Sequence, residues 1–141
     1  MADVPLYKAV QKILNSVMSF YMTTHKYHWN VVGDDFKEFH AFFNEIYDDA
    51  FDSIDMLGEV IRKLGQMNDI KPDVVGSESD LKAMLDDIIK RNNTLIVMYK
   101  SAIDIADKKR EQGVLNLLAD RLDKHQFWAW QLKSTIENWE D

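Results

Sequence analysis

The chain has 141 residues, 46% of them hydrophobic and 29% charged, which is ordinary for a single globular domain with its own core (residues 1–141). It contains no cysteine, which excludes disulfides, thiolate metal sites and a cysteine nucleophile. Its net charge of −7 argues against general affinity for nucleic acid and suits a surface that attracts cations.

No apolar run approaches the ~20 residues of a membrane span. The opening MADVPLYKAV lacks the basic and apolar regions of a secretory signal, so a cytoplasmic location is expected. With 5 glycines and 2 prolines the chain has few places to turn, which favours a few long helices.

The first helix is predicted from Leu6 to Asn30, because Val10, Ile13, Leu14, Val17, Met18 and Tyr21 recur at helical spacing. It stops at Val31-Val32-Gly33. The second begins at Asp34 or Asp35, where Asp35-Phe-Lys-Glu38 has the form of a capping box, and runs to Leu64 before Gly65. Ser77-Glu-Ser-Asp80 announces the third, which ends near Lys108. After a break at Lys109–Gly113 the last runs from Val114 to about Trp139.

The fold class is therefore all-α, a four-helix bundle. Its first and third connections are short and join antiparallel neighbours. The middle one, Gln66 to Gly76, carries Pro72. Extended, it reaches about 36–40 Å, enough to return along a bundle as one long crossover between helices 2 and 3. An up-down-up-down arrangement with a loose loop is the competing topology.

The residues suited to chemistry lie on the first two helices. His28 closes the first and His40 sits in the second turn of the next, so a tight turn can bring both imidazoles to one end of the hairpin. On the second helix His40, Asn44, Asp55 and Glu59 fall within roughly 100° of one another, with Asp48 at the edge of the same stripe. Asp48, Asp49 and Asp52 read first as solvated acids. Asp55 and Glu59 are a repulsive i,i+4 pair that a cation would relieve. Carboxylates with imidazoles suit iron or another borderline divalent metal better than calcium or magnesium.

His40 and Asp55 are separated by ~22 Å along a straight helix, so they cannot share a metal within one subunit. If two copies of this helix pack antiparallel about a two-fold axis near Tyr47 and Asp48, His40 of one copy faces Asp55 of the other. Isologous symmetry then yields two equal sites.

The run Lys26-Tyr-His-Trp-Asn-Val-Val-Gly-Asp-Asp-Phe-Lys-Glu-Phe-His40, followed by Asp55-Met-Leu-Gly-Glu59, resembles the Dps family, the mini-ferritins that protect DNA during starvation. His125-Gln-Phe-Trp-Ala-Trp130 is similar to the family's H-x-x-x-x-W segment. The resemblance implies a ferritin-like bundle in a hollow dodecamer that oxidises Fe(II), often with hydrogen peroxide, and stores ferric iron. It implies a ferroxidase centre between subunits, with His28 and His40 from one chain, Asp55 and Glu59 from its partner, and Trp29 beside them.

Three departures qualify the match. The family usually has an aspartate where Asn44 stands, so the second iron position is expected to be weak unless Asp48 compensates. The crossover is too short for the family's small extra helix. The lysine-rich tail of DNA-binding members is missing, so direct DNA binding is not expected. The alternative to a ferroxidase is a shell or interaction protein of the same fold that binds metal weakly or only structurally. His25 and His125 are expected to be structural, Trp128, Trp130 and Trp139 to serve core and subunit contacts, and Asp120 to be a solvated acid or to line an iron pore.

Overall fold

The computed structural model describes residues 4–137 and Trp139. These form four helices, α1 (Leu6–Asn30), α2 (Phe36–Lys63), α3 (Leu81–Lys108) and α4 (Gln112–Ile136), and no strand occurs among the described residues. Each helix buries one stripe spaced alternately by four and three residues. On α1 the stripe is Leu6, Val10, Ile13, Val17, Phe20, Thr24 and Tyr27, and on α2 it is Phe39, Phe43, Ile46, Ala50, Ser53, Leu57 and Val60. That rhythm keeps one narrow face inward over seven turns, as near-parallel bundle packing requires.

The ends of the helices depart from sequence expectation in instructive ways. Asp35 occupies the N-cap of α2, but at φ −97° and ψ 17° its side chain makes no capping bond, so the expected capping box is not formed. A capping carboxylate needs the extended backbone that Asp80 adopts before α3, where its side chain accepts from Ala83 N at 3.3 Å. The α3–α4 turn does not use Gly113. Arg110 takes the positive φ of 57° instead, and Glu111 N donates back to Ala106 O, so α4 begins two residues earlier than expected. At the other end α4 stops at Ile136, and the Trp139 ring packs edge-on against Phe39.

Topology is fixed by the side chains that join α1 to α3. Tyr27 donates to Asp87, and Arg91 reaches Ser19, so α3 runs antiparallel to α1 and parallel to α2. The up-down-up-down alternative is thereby excluded, and the connection from α2 to α3 must traverse the bundle.

It does so as an extended strap lying along α1. Gln11 Oε1 accepts from Asp69 N, Asn15 Oδ1 from Lys71 N, Thr23 Oγ1 from Gly76 N and Tyr27 Oη from Glu78 N. These four side chains follow the i,i+4 ridge of α1, closing backbone donors that a crossover helix would satisfy internally. Gly76 is required where the strap passes closest, because a Cβ there would collide with Tyr27 Oη, Asp87 and Thr23.

Candidate metal centre

The α1–α2 hairpin turn, in which Gly33 adopts φ 114°, brings His28 and His40 face to face. Their rings stack at a centroid separation of 3.7 Å and 16°. Each ring is pinned by the other residue's backbone: His28 Nδ1–H donates to His40 O (2.6 Å), and His40 Nδ1–H donates to His28 O (2.8 Å). A carbonyl only accepts, so in the neutral rings both protons sit on Nδ1. Both Nε2 atoms then carry free lone pairs, and neither makes a hydrogen bond among the described residues. This is the tautomer that a backbone carbonyl accepting from Nδ1–H imposes on metal-binding histidines. Phe36 covers His40 from the outer side.

Asn44 stands one turn beyond His40, and its amide is committed on both sides. Its Nδ2 donates to Asp48 Oδ2 (3.0 Å), while its Oδ1 accepts from Tyr47 Oη (2.6 Å). Because a carboxylate cannot donate, the amide nitrogen must face Asp48, which fixes the orientation. Asn44 therefore acts here as a spacer that holds the exposed Asp48 carboxylate in place. Burial, then the charges of Asp48 and Tyr21, push the Tyr47 phenol above its usual range.

His25 belongs to the same wall of rings. It stacks on Tyr47 (3.9 Å, 12°) and touches Trp29 (4.1 Å), and its Nδ1 meets Tyr21 Oη at 3.1 Å. Burial and the neighbouring His28 lower its pKa, opposed by Asp48.

Asp55 and Glu59 lie in the other half of α2, both exposed, at the edge of a 300 Å³ groove that Arg62 of α2 and Asn68 and Ile70 of the strap complete. The chain brings the two histidines together, with Asn44 lining the same cavity, and does not bring Asp55 and Glu59 to them. No group of three or more His, Cys, Asp or Glu able to hold a metal occurs among the described residues of the single chain.

A second polar cluster lies inside the bundle. Asp49, expected to be solvated, is only 16% exposed and forms a two-bond ion pair with Arg121 (2.8 and 2.9 Å), while Trp128 Nε1 donates to its Oδ2 (2.8 Å). Burial pushes the Asp49 carboxyl up, but the Arg121 guanidinium and the indole N–H outweigh it and hold it below the usual range. His125, fully buried, gives its Nδ1 proton to Asn92 Oδ1, and Arg121 Nη2 faces its Nε2. Burial, reinforced by Arg121, lowers its pKa to about 3. His125 is thus a buried, hydrogen-bonded core residue, the structural role expected of it from the sequence.

Sequence reasoning missed Asp49, although α4 carried a signal. Val114, Leu118, Arg121, His125, Trp128 and Leu132 follow the core rhythm. A cation at a core position demands a buried anion.

Residues 7–141 match the ferritin-like domain family. Among similar curated proteins are a DNA protection during starvation protein of Brevibacillus brevis, 28% identical with 83% of this chain and 85% of that one aligned, and its namesake from Helicobacter pylori, 29% identical over 82% and 88%. Among solved structures, the Dps protein of Vibrio cholerae superposes with a TM-score of 0.82 at 25% identity, covering 93% of this chain and 88% of that one. A ferritin-like, diiron-carboxylate protein of Bacillus anthracis reaches 0.89 at 18% identity, covering 93% and 94%, a likeness of fold.

Proposed function

The chain belongs to the ferritin-like family, with Dps proteins among its relatives, and on that premise we propose that it is a Dps-type mini-ferritin. It takes up Fe(II) as substrate, oxidises it with hydrogen peroxide or dioxygen, and keeps the ferric product inside a closed shell of twelve subunits. The observation that carries this reading is the reciprocal pinning of His28 and His40, which leaves both Nε2 lone pairs uncommitted at the end of the hairpin.

Two neutral imidazoles are an incomplete site for iron, which also takes carboxylate oxygen. The missing ligands are Asp55 of the partner subunit and Glu59 of the partner subunit. Antiparallel pairing of α2 about a two-fold axis near Tyr47 and Asp48 supplies them. In that arrangement the two carboxylates lose their mutual repulsion only when a cation is bound, so assembly prepares the site and iron relieves it. The histidines hold Fe(II), the carboxylates favour the ferric state through their charge, and Trp29 lies beside the pair.

Asn44 supports a second reading of the same fold, a shell with one weak metal position and slow oxidation, because its oxygen already accepts from Tyr47. Anaerobic Fe(II) titration followed by addition of peroxide separates the two. Saturable binding to the assembled protein and oxidation faster than in buffer support the first; oxidation no faster than in buffer removes it. A salt-sensitive shift of DNA on a gel is not expected from so acidic a chain.

A further inference from the structure

We propose that Tyr21 and His25 form a proton-coupled one-electron donor wired to the histidine pair, a role that takes its oxidant from the iron-oxidation reading above. Three oxidisable rings contact His25, the neighbour of His28: Tyr21, Trp29 and Tyr47. Removing an electron from a phenol makes its proton strongly acidic, so oxidation is easiest where a base already waits at hydrogen-bond distance. The surroundings of the three rings differ on this point.

Tyr47 donates to the Asn44 amide oxygen, which is no base, so its proton has nowhere to go. Trp29 is 64% exposed and its indole N–H meets no protein base among the described residues. Tyr21 Oη lies 3.1 Å from His25 Nδ1, within the ~2.6–3.2 Å over which a proton can pass. With the lone pair on Nδ1, the phenol donates and the imidazole accepts.

The electron has a path of touching rings. His25 lies 5.9 Å from His28 between centroids and stacks on Tyr47, which meets His28 edge-on at 5.1 Å. His28 in turn stacks on His40. Tunnelling falls off steeply with distance, so contact between rings is the fast route from Tyr21 to the nitrogen atoms that face the metal.

The chemistry balances. Cleaving the O–O bond of hydrogen peroxide to two hydroxides takes two electrons, and one Fe(II) supplies one. Tyr21 supplies the other and passes its proton to His25, leaving a tyrosyl radical and an imidazolium. A second Fe(II) then returns an electron to Tyr21 while His25 gives the proton back. The sum is two Fe(II) and one peroxide to two Fe(III) and two hydroxides. No hydroxyl radical leaves a site that holds a single iron.

The test begins with the iron-free full-length protein, oxidised by flash photolysis with a ruthenium tris-bipyridyl sensitiser and a cobalt(III) acceptor, and read by electron paramagnetic resonance. The wild type should give a tyrosyl signal that falls several-fold in Tyr21→Phe and in His25→Phe, and persists in Tyr47→Phe. The His25 variant keeps a ring against Tyr47 while removing the base, and circular dichroism checks that each variant stays helical. A signal undiminished in Tyr21→Phe, or one residing on tryptophan in the wild type, overturns the assignment.

A second arm adds Fe(II) and peroxide with a hydroxyl-radical trap. Trapping should rise several-fold in Tyr21→Phe while iron is still oxidised, and equal trapping contradicts the proposal. Should the wild type fail to oxidise iron faster than buffer, the iron-oxidation reading and the role resting on it fall together. The photochemical arm then still decides whether Tyr21 and His25 act as a pair.

Discussion

An imidazole binds a metal only through a nitrogen whose lone pair is uncommitted, and the backbone decides which nitrogen that is. Here each histidine of the pair uses the other's carbonyl to fix its tautomer, so the two cannot be perturbed independently. His40→Ala should weaken Fe(II) or Zn(II) binding by at least about ten-fold, and should also cost about 1 kcal/mol by leaving the His28 carbonyl without its partner. Titration calorimetry on the assembled protein reads the first effect and thermal unfolding the second. Asn44→Asp tests the spacer. A carboxylate there repels Asp48 and should destabilise the metal-free protein by about 0.3–0.5 kcal/mol, while the second cation binds more tightly. Unchanged metal binding in Asn44→Asp would show that this position faces no cation. His125 supplies a pH dependence of known sign. Its pKa is held near 3 in the fold against 6.5 when free, so the unfolded chain gains a proton first. Stability is then full above about pH 6.5 and falls by up to ~1.4 kcal/mol per unit as the pH drops toward 3. Urea unfolding across that range should show the slope in the wild type and its loss in His125→Phe.

Between elements, the polar tie of α2 to α4 is the Asp49–Arg121 pair with Trp128. Arg121→Met should destabilise by about 3–5 kcal/mol, because it strands the buried Asp49 charge. The double variant with Asp49→Leu should cost less than the two single changes summed. The strap makes a comparable prediction: Gly76→Ala must displace Tyr27 or Asp87 and should cost about 1–3 kcal/mol, with increased proteolysis between residues 66 and 80. The helices themselves were legible in sequence, because an alternating four- and three-residue rhythm is a local property. So was the length of the strap. The bonds that hold it were not, since they join residues 51 to 58 positions apart. Asp49 was misjudged for the same reason: its partner lies 72 residues away, and nothing within α2 distinguishes it from Asp48 or Asp52. The histidine pair was foreseen from the hairpin, but the locking of Asn44 by Tyr47 depends on a rotamer that spacing alone does not fix.

At the scale of the whole molecule, the proposed function makes the single chain half of a site. Its histidines lie on either side of the α1–α2 turn and its carboxylates in the far half of α2, and isologous pairing would give each half its complement. Light scattering should report a closed assembly of about twelve subunits, and a monomer would leave both halves stranded. Exposed Trp29, Phe51 and Met22, on the α1 and α2 surfaces, are apolar area for such an interface. The central claim is that iron is oxidised at a site shared by two subunits, and mixing tests it directly. One chain carries His28→Ala with His40→Ala, the other Asp55→Ala with Glu59→Ala, and each assembles alone without activity. Unfolded together in equal amounts and reassembled, they should recover about a quarter of wild-type Fe(II) oxidation, since half the dimers are mixed and one of the two sites in each is whole. Assembly of the mixture with no recovered oxidation would contradict the shared site.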